Sequence, residues 1–125
     1  MNIPENLHFT KDHEWLKIEG GEALIGITDY AQSELGDIIY AEFAEVGEQR
    51  KKGQAFGTVE AVKAVSEVFM PVSGEITAVN TELTDKPELI NQEPYGAGWM
   101  VRIRLSDPSD LEQLMDAAAY SAFIQ

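Results

Sequence analysis

The chain has 125 residues, 44% of them hydrophobic and 25% charged, which fits one soluble globular domain spanning 1–125. It contains no cysteine, which excludes disulfides, cysteine-bound zinc, iron–sulfur clusters and a protein thiol nucleophile; no apolar run approaches the roughly 20 residues that span a bilayer. With 22 acidic residues against 9 basic ones the formal charge is −13, a surface that repels nucleic-acid phosphates and anionic lipid and suits basic partner surfaces. Residues 1–6 have neither the basic-then-apolar layout of a signal peptide nor the Arg/Ser-rich character of a transit peptide. The protein is therefore expected to work where it is made, in the cytoplasm, or to be a mature form whose leader has been removed.

In chain order, residues 9–18 read as a strand through Trp15, Leu16 and Ile18. Gly20-Gly21 is a turn signal, and residues 23–27 return as the second strand of a hairpin. Asp29 stands three residues before Gln32, a capping-box spacing, so residues 30–35 are predicted as a short helix stopped by Gly36. The apolar run of residues 38–43 suggests a strand buried on both faces. Residues 46–53 are polar and read as a loop with a short extended piece, the Arg50-Lys51-Lys52 cluster being a solvated turn rather than a binding patch. Residues 55–61 and 65–70 are strands, the second ended by Pro71, which cannot donate to a ladder. Residues 75–79 alternate polar and apolar after Gly74, as a half-buried strand does. Pro87 suits the first position of a short helix within residues 84–91. A loop over 94–98 leads to a last strand, 99–105. Ser109 and Glu112 repeat the capping-box spacing, and Leu111, Leu114 and Met115 fall at helical intervals. The C-terminus is thus one or two helices with an apolar face against the sheets. Many short strands with glycine and proline at their turns predict a mainly β sandwich or barrel. Its strand groups, before and after roughly residue 60, could be related by pseudo-symmetry around a single turn.

That turn lies within Val59-Glu60-Ala61-Val62-Lys63-Ala64-Val65-Ser66-Glu67-Val68. Val59, Val65 and Val68 favour strands, and Lys63 falls at or near the tip between them. A lysine held there presents its amine to solvent on a rigid support, as an enzyme that attaches a group to it requires. An ordinary hairpin with a solvated lysine has the same pattern. A Schiff-base nucleophile would need an amine kept neutral by burial or by cations, whereas Glu60 and Glu67 are acids that favour the charged form. His8 and His13 share no ligand spacing with a carboxylate cluster, so no metal site is expected. Phe43, Tyr95 and Trp99 are expected in the core, and Gly57, Gly74, Gly96 and Gly98 to serve backbone geometry.

Glu60-Ala61-Val62-Lys63-Ala64, followed by Pro71-Val72-Ser73-Gly74-Glu75-Ile76, resembles the biotinyl/lipoyl carrier domains, with Gly74 eleven residues after the lysine. Biotin carriers usually flank the lysine with methionines, where Val62 and Ala64 stand here; the upstream acid and the alanine after the lysine suit lipoyl carriers. Asp12-His13-Glu14-Trp15, Gly26-Ile27-Thr28, Tyr30-Ala31-Gln32 and Leu35-Gly36-Asp37 then resemble the H proteins of the glycine cleavage system. So do Asn91, Pro94-Tyr95-Gly96, Gly98-Trp99 and Leu114-Met115-Asp116-Ala117 with Tyr120, nearly the whole chain in the family's order. Two positions depart: Ala61, where the family commonly has serine, and Glu34, where some members have a histidine near the arm.

The resemblance implies a barrel-sandwich hybrid of two small sheets, lipoyl-domain-like, with short helices, a C-terminal helix and the modified lysine on a hairpin. It implies lipoate in amide linkage on Lys63 and a carrier that does not itself catalyse. Such a carrier would shuttle the aminomethyl group of glycine from a pyridoxal-phosphate-dependent glycine decarboxylase to a tetrahydrofolate-dependent aminomethyltransferase. Dihydrolipoamide dehydrogenase would reoxidise the dithiol, and a lipoate ligase or lipoyltransferase would install the arm on what is expected to be a monomer. The family shields the carried group in a groove, where Glu14 is the candidate contact for its cation, with Asp12 and His13 behind it. The plainer alternative makes Glu14 a surface acid beside a core Trp15. Glu60 and Glu67 are candidates for recognition by the lipoylating enzyme, or simply keep the hairpin soluble. Competing readings are a biotin carrier, a relay of lipoyl groups to other dehydrogenases, and an unmodified interaction domain.

Overall fold

Residues 2–125 are described by a computed structural model, and among them nine strands form two open sheets. The strands are β1 His8–Phe9, β2 Glu14–Glu19, β3 Glu22–Ile27, β4 Ile38–Phe43, β5 Gln49–Arg50, β6 Ala55–Ala61, β7 Val65–Phe69, β8 Gly74–Val79 and β9 Val101–Leu105. The larger sheet has the order β1-β2-β3-β9-β8-β5 and the smaller the order β4-β6-β7. All pairings are antiparallel. Each sheet draws strands from both sides of residue 60, so the two strand groups of the sequence are not the two sheets.

Side chains alternate across a strand, so register decides what is buried. Leu16, Ile25 and Val101 lie opposite one another across β2, β3 and β9, as do Ala23, Ile103 and Ile76 across β3, β9 and β8. All six are buried. They share one core with Ala41, Phe56, Val59, Ala61 and Val68 of the smaller sheet. Each fully buried Leu, Ile, Val or Phe contributes about 1.5–3 kcal/mol, so this shared core holds the two sheets face to face. A second cluster, Leu7, Phe9, Trp15 and Tyr120, packs separately and ties the C-terminal helix α4 (Ala117–Phe123) to β1 and β2. The Trp15 indole N–H donates to the Pro94 carbonyl at 2.8 Å, satisfying its one donor in the interior.

Several expectations need correction. Residues 9–18 are not one strand: β1 and β2 are separated by a loop in which His13 holds φ +68°. β4 is not buried on both faces, because the register shifts between Ile38 and Tyr40. Bulges of this kind bend a strand and re-aim its side chains, and Ile39 and Tyr40 are 53% and 46% exposed. Helix α1 (Asp29–Leu35) is capped by Thr28, whose hydroxyl accepts the Ala31 N–H at 3.2 Å; Asp29 instead accepts from the Gln32 side chain at 2.7 Å. Pro87 does not start a helix: two single turns, α2 (Glu82–Asp85) and α3 (Leu89–Gln92), lie on either side of it. The last strand begins at Val101, not Trp99. The Ser109–Glu112 spacing is not a capping box, since Asp107 caps a 3₁₀ helix over Pro108–Gln113 by accepting the Ser109 N–H at 3.0 Å. Proline at the start of that turn fits, because its missing N–H has no partner to lose there. Phe43, Tyr95 and Trp99 are half-buried and packed against the two clusters.

Three of the four glycines expected to serve the backbone do so by close approach. At Gly98 a Cβ would sit 2.7 Å from the carbonyl oxygens of both Glu93 and Leu89. Gly57 and Gly74 meet backbone oxygens at 2.7 and 2.6 Å, whereas Gly96 meets only the Glu93 side chain, no nearer than 3.4 Å. Gly98→Ala is therefore expected to cost about 1–3 kcal/mol in denaturant unfolding. Gly96→Ala stays within about 0.5 kcal/mol of the parent. Equal costs at the two positions would refute the packing argument.

Candidate functional site

Lys63 sits between β6 and β7, in a turn closed by the Ala61 N–H donating to the Ala64 carbonyl at 2.7 Å. Val62 and Val65 beside it are 73% and 66% exposed, and Lys63 itself is exposed and forms no salt bridge among the described residues. The turn rests on the segment that joins α1 to β4. The Val62 N–H donates to the Asp37 carbonyl at 3.2 Å, and the Lys63 Cε lies 3.6 Å from where a Cβ on Gly36 would stand. The amine is thus free, yet its stem has a fixed support.

A cleft of about 320 Å³ opens beside this hairpin, between α1, the His13 loop and strands β6 and β7. Ile27, Leu35, Val59 and Val68 give it apolar walls, while Asp12, Glu14, Glu34 and Glu67 bring four carboxyl groups to it. Leu35, at the end of α1, lines the cleft, and the next residue, Gly36, lies against the Lys63 stem. At about 3.3 Å per strand residue, the β7 wall from Ser66 to Val68 runs for roughly 7 Å. Apolar walls ending in carboxylates suit an aliphatic arm that carries a cation.

Glu14 is the buried member, only 2% exposed, which overturns its reading as a surface acid. The Thr10 hydroxyl donates to its Oε1 at 2.7 Å and the Phe69 N–H to its Oε2 at 3.2 Å. Burial nevertheless pushes its carboxyl up to about 7, against the pull of those two hydrogen bonds, and the Asp12 charge adds to the rise. The group therefore changes charge near neutral pH. On its other side Glu14 also lines a smaller cleft of about 230 Å³, walled by Thr10, Met70 and Leu114.

His13 reaches the cleft from a left-handed backbone, a conformation uncommon outside glycine. Its Nδ1 lies 2.8 Å from the Tyr120 hydroxyl, which lies 2.7 Å from Thr28 Oγ1, and its ring packs on Tyr30 with centroids 4.8 Å apart. Burial lowers its pKa, opposed by Asp12 and Glu34. Asp12, His13 and Glu14 are thus brought together with Glu34 and Glu67. Glu60 is not among them: it lies across the ladder from Tyr40 and Val65 and does not line the cleft. Sequence reasoning missed the contributions of Tyr30, Thr28 and Tyr120. Thr28 and Tyr120 carried no signal beyond their place in the family-like motifs.

A two-sheet β fold that offers one unpaired lysine on a hairpin, beside an apolar cleft, has the architecture of lipoyl-type carrier domains. The model of the glycine cleavage H-protein family matches residues 7–125. A glycine cleavage system H protein from Anaeromyxobacter sp. is 54% identical over 125 residues, covering 100% of this chain and 98% of the relative. One from Chlorobium limicola is 55% identical over 126 residues, covering 99% and 98%. The crystal structure of a glycine cleavage system H protein from Mycobacterium marinum superposes with a TM-score of 0.89 at 37% identity, covering 96% of this chain and 97% of that one. The chain belongs to the glycine cleavage H-protein family.

Proposed function

We propose that this chain is the lipoyl carrier of a glycine cleavage system, one domain with lipoate in amide linkage on Lys63. The observation that carries this reading is an unpaired lysine at a supported hairpin tip, next to a cleft with apolar walls and carboxylates. Those residues fit the group: the amine is open to a ligase, and the walls match an aliphatic chain. When bound, lipoate supplies a dithiol–disulfide pair that takes up the one-carbon amine unit of glycine and gives it up again. The chain's own part is to hold and shield. Ile27, Leu35, Val59 and Val68 exclude water from whatever lies along them, and Glu14 receives a positive charge at the inner end. No cysteine is present to exchange with the arm's sulfurs. The partners are a glycine decarboxylase, an aminomethyltransferase, dihydrolipoamide dehydrogenase and a lipoate ligase or lipoyltransferase, acting on this non-catalytic subunit in the cytoplasm. Tethering raises the arm's effective concentration at each partner's active site.

The test is an intact mass after incubation with a lipoate ligase, ATP and lipoate. One lipoyl addition, mapped to Lys63, is expected; an unmodified mass overturns the reading.

The outer face of β4-β6-β7 supports the way partners approach. Ile39, Tyr40, Val62 and Val65 expose an apolar patch around the lysine, with Glu42, Glu60 and Glu67 in the same strands. Acids around an apolar patch suit a basic-rimmed enzyme mouth. Reversing two charges, in Glu60→Lys/Glu67→Lys, is expected to raise the ligase's KM about tenfold, with the difference shrinking as salt is added. A KM unchanged at low salt would exclude recognition by these two acids.

A further inference from the structure

Asn91 lies in α3, far along the chain from Lys63, yet its side chain works on the segment beneath the lysine turn. Its Oδ1 accepts the Ile38 N–H at 2.9 Å. Its Nδ2 donates to the Gly36 carbonyl at 2.9 Å and to Gln32 Oε1 at 3.0 Å. These bonds fix both ends of residues 36–38. Between them the Asp37 carbonyl accepts the Val62 N–H at 3.2 Å, and Gly36, at φ +81°, supports the Lys63 stem. The ladder cannot supply this rigidity, because the β4–β6 register breaks right after Ile38. Residues 36–38 therefore act as a strut, and Asn91 is what clamps it.

We infer that Asn91 is a positioning residue for the modification of Lys63. This rests on the reading of Lys63 as the lipoylated residue. In that acylation the Lys63 nitrogen forms an amide bond to the carbonyl carbon of a lipoyl adenylate, the bond from that carbon to AMP breaks, and the amine's proton leaves to solvent. The step is fast only when the nitrogen is held close and in line, and a displacement of about 1 Å can cost up to a hundredfold in rate. The turn's one internal closure, Ala61 to Ala64, leaves the direction of Lys63 to the strut. Asn91 touches neither the lysine nor the arm and acts only through residues 36–38.

The experiment compares Asn91→Ala with Asn80→Ala. Asn80 is a buried asparagine whose Nδ2 makes two bonds, to the Ala97 and Trp99 carbonyls at 2.8 Å, on a different part of the fold. The readouts are the kcat and KM of a lipoate ligase toward each apo protein, the amide hydrogen exchange of Val62, and unfolding stability. Asn91→Ala is expected to lower kcat about tenfold with KM within about twofold, since every exposed side chain of the docking face is kept, and to speed Val62 exchange. Asn80→Ala loses stability without either change. Normal kcat and normal Val62 exchange in Asn91→Ala overturn the inference, as does an equal loss of kcat in both variants. A parent protein that takes no lipoate removes the functional reading instead, and Val62 exchange still reports on the strut. Should Asn91→Ala fail to fold, Gln32→Leu removes one of the three bonds and is expected to lower kcat two- to threefold; no change there overturns the inference as well.

Discussion

Lys63→Arg is expected to abolish lipoate attachment and to leave the fold unchanged. Arginine keeps the positive charge and the length, so docking by charge survives. Its guanidinium stays protonated in proteins and offers no free amine to an acyl donor. The side chain is exposed and forms no salt bridge among the described residues, so unfolding stability is expected within about 0.5 kcal/mol of the parent. Intact mass after treatment with ligase checks the first statement and denaturant unfolding the second. A lipoyl addition that persists in Lys63→Arg means that another lysine is the carrier. Decarboxylation supported by the substituted protein is expected at background.

The second large effect is at Glu14. Its carboxyl ionises near 4.5 in the unfolded chain and is pushed up to about 7 in the fold, chiefly by burial. Between those values the native state holds a proton that the unfolded state has released, so stability falls as pH rises through this window. The difference amounts to about 3 kcal/mol. Glu14→Gln removes it: relative to this variant, the parent is expected to lose about 3 kcal/mol between pH 4 and pH 8. His13, whose pKa is lowered by burial, works the other way and loses its contribution as pH falls. It is present in both proteins and cancels in the comparison. Parallel stability curves would mean that Glu14 ionises normally. Above pH 7 the buried carboxylate has no salt-bridge partner among the described residues, and the amine on a loaded arm would provide one. Hydrogen bonds to charged groups contribute about 1.5–3 kcal/mol, so loss of the carried aminomethyl group to water is expected at least tenfold faster in Glu14→Gln. An unchanged lifetime removes Glu14 from that role and leaves the stability prediction standing.

What the sequence made legible follows from how local each signal is. The β2–β3 hairpin was readable because Trp15, Leu16 and Ile18 precede a Gly20-Gly21 turn, and the lysine hairpin because strand-favouring valines lie on both sides of Lys63. The burial of β4 was misread because the bulge after Ile38 depends on pairing with β6, and composition holds no register. The cap of α1 was off by one residue because Thr28 and Asp29 are both good caps. Thr28 takes that place with its hydroxyl also bonded to Tyr120, a contact across the fold. Glu14 was identified as a candidate, but its burial was hidden by its polar neighbours Asp12 and His13. The groups that receive it, the Thr10 hydroxyl and the Phe69 N–H, come from a loop and from a distant strand. The work of Asn91 was invisible for the same reason, since its three partners lie more than fifty residues away.

Tyr120 has a consequence for how the molecule is made. Its hydroxyl secures both His13 and Thr28, so one side of the cleft is finished by a residue more than ninety positions further along the chain. A growing polypeptide emerges from the ribosome with its lysine segment long before that residue. A product cut short ahead of Tyr120 would keep an amine to decorate but lack the wall that shelters the cargo, and would spill it. Shelter for the cargo therefore depends on a residue that follows the lysine by more than fifty positions.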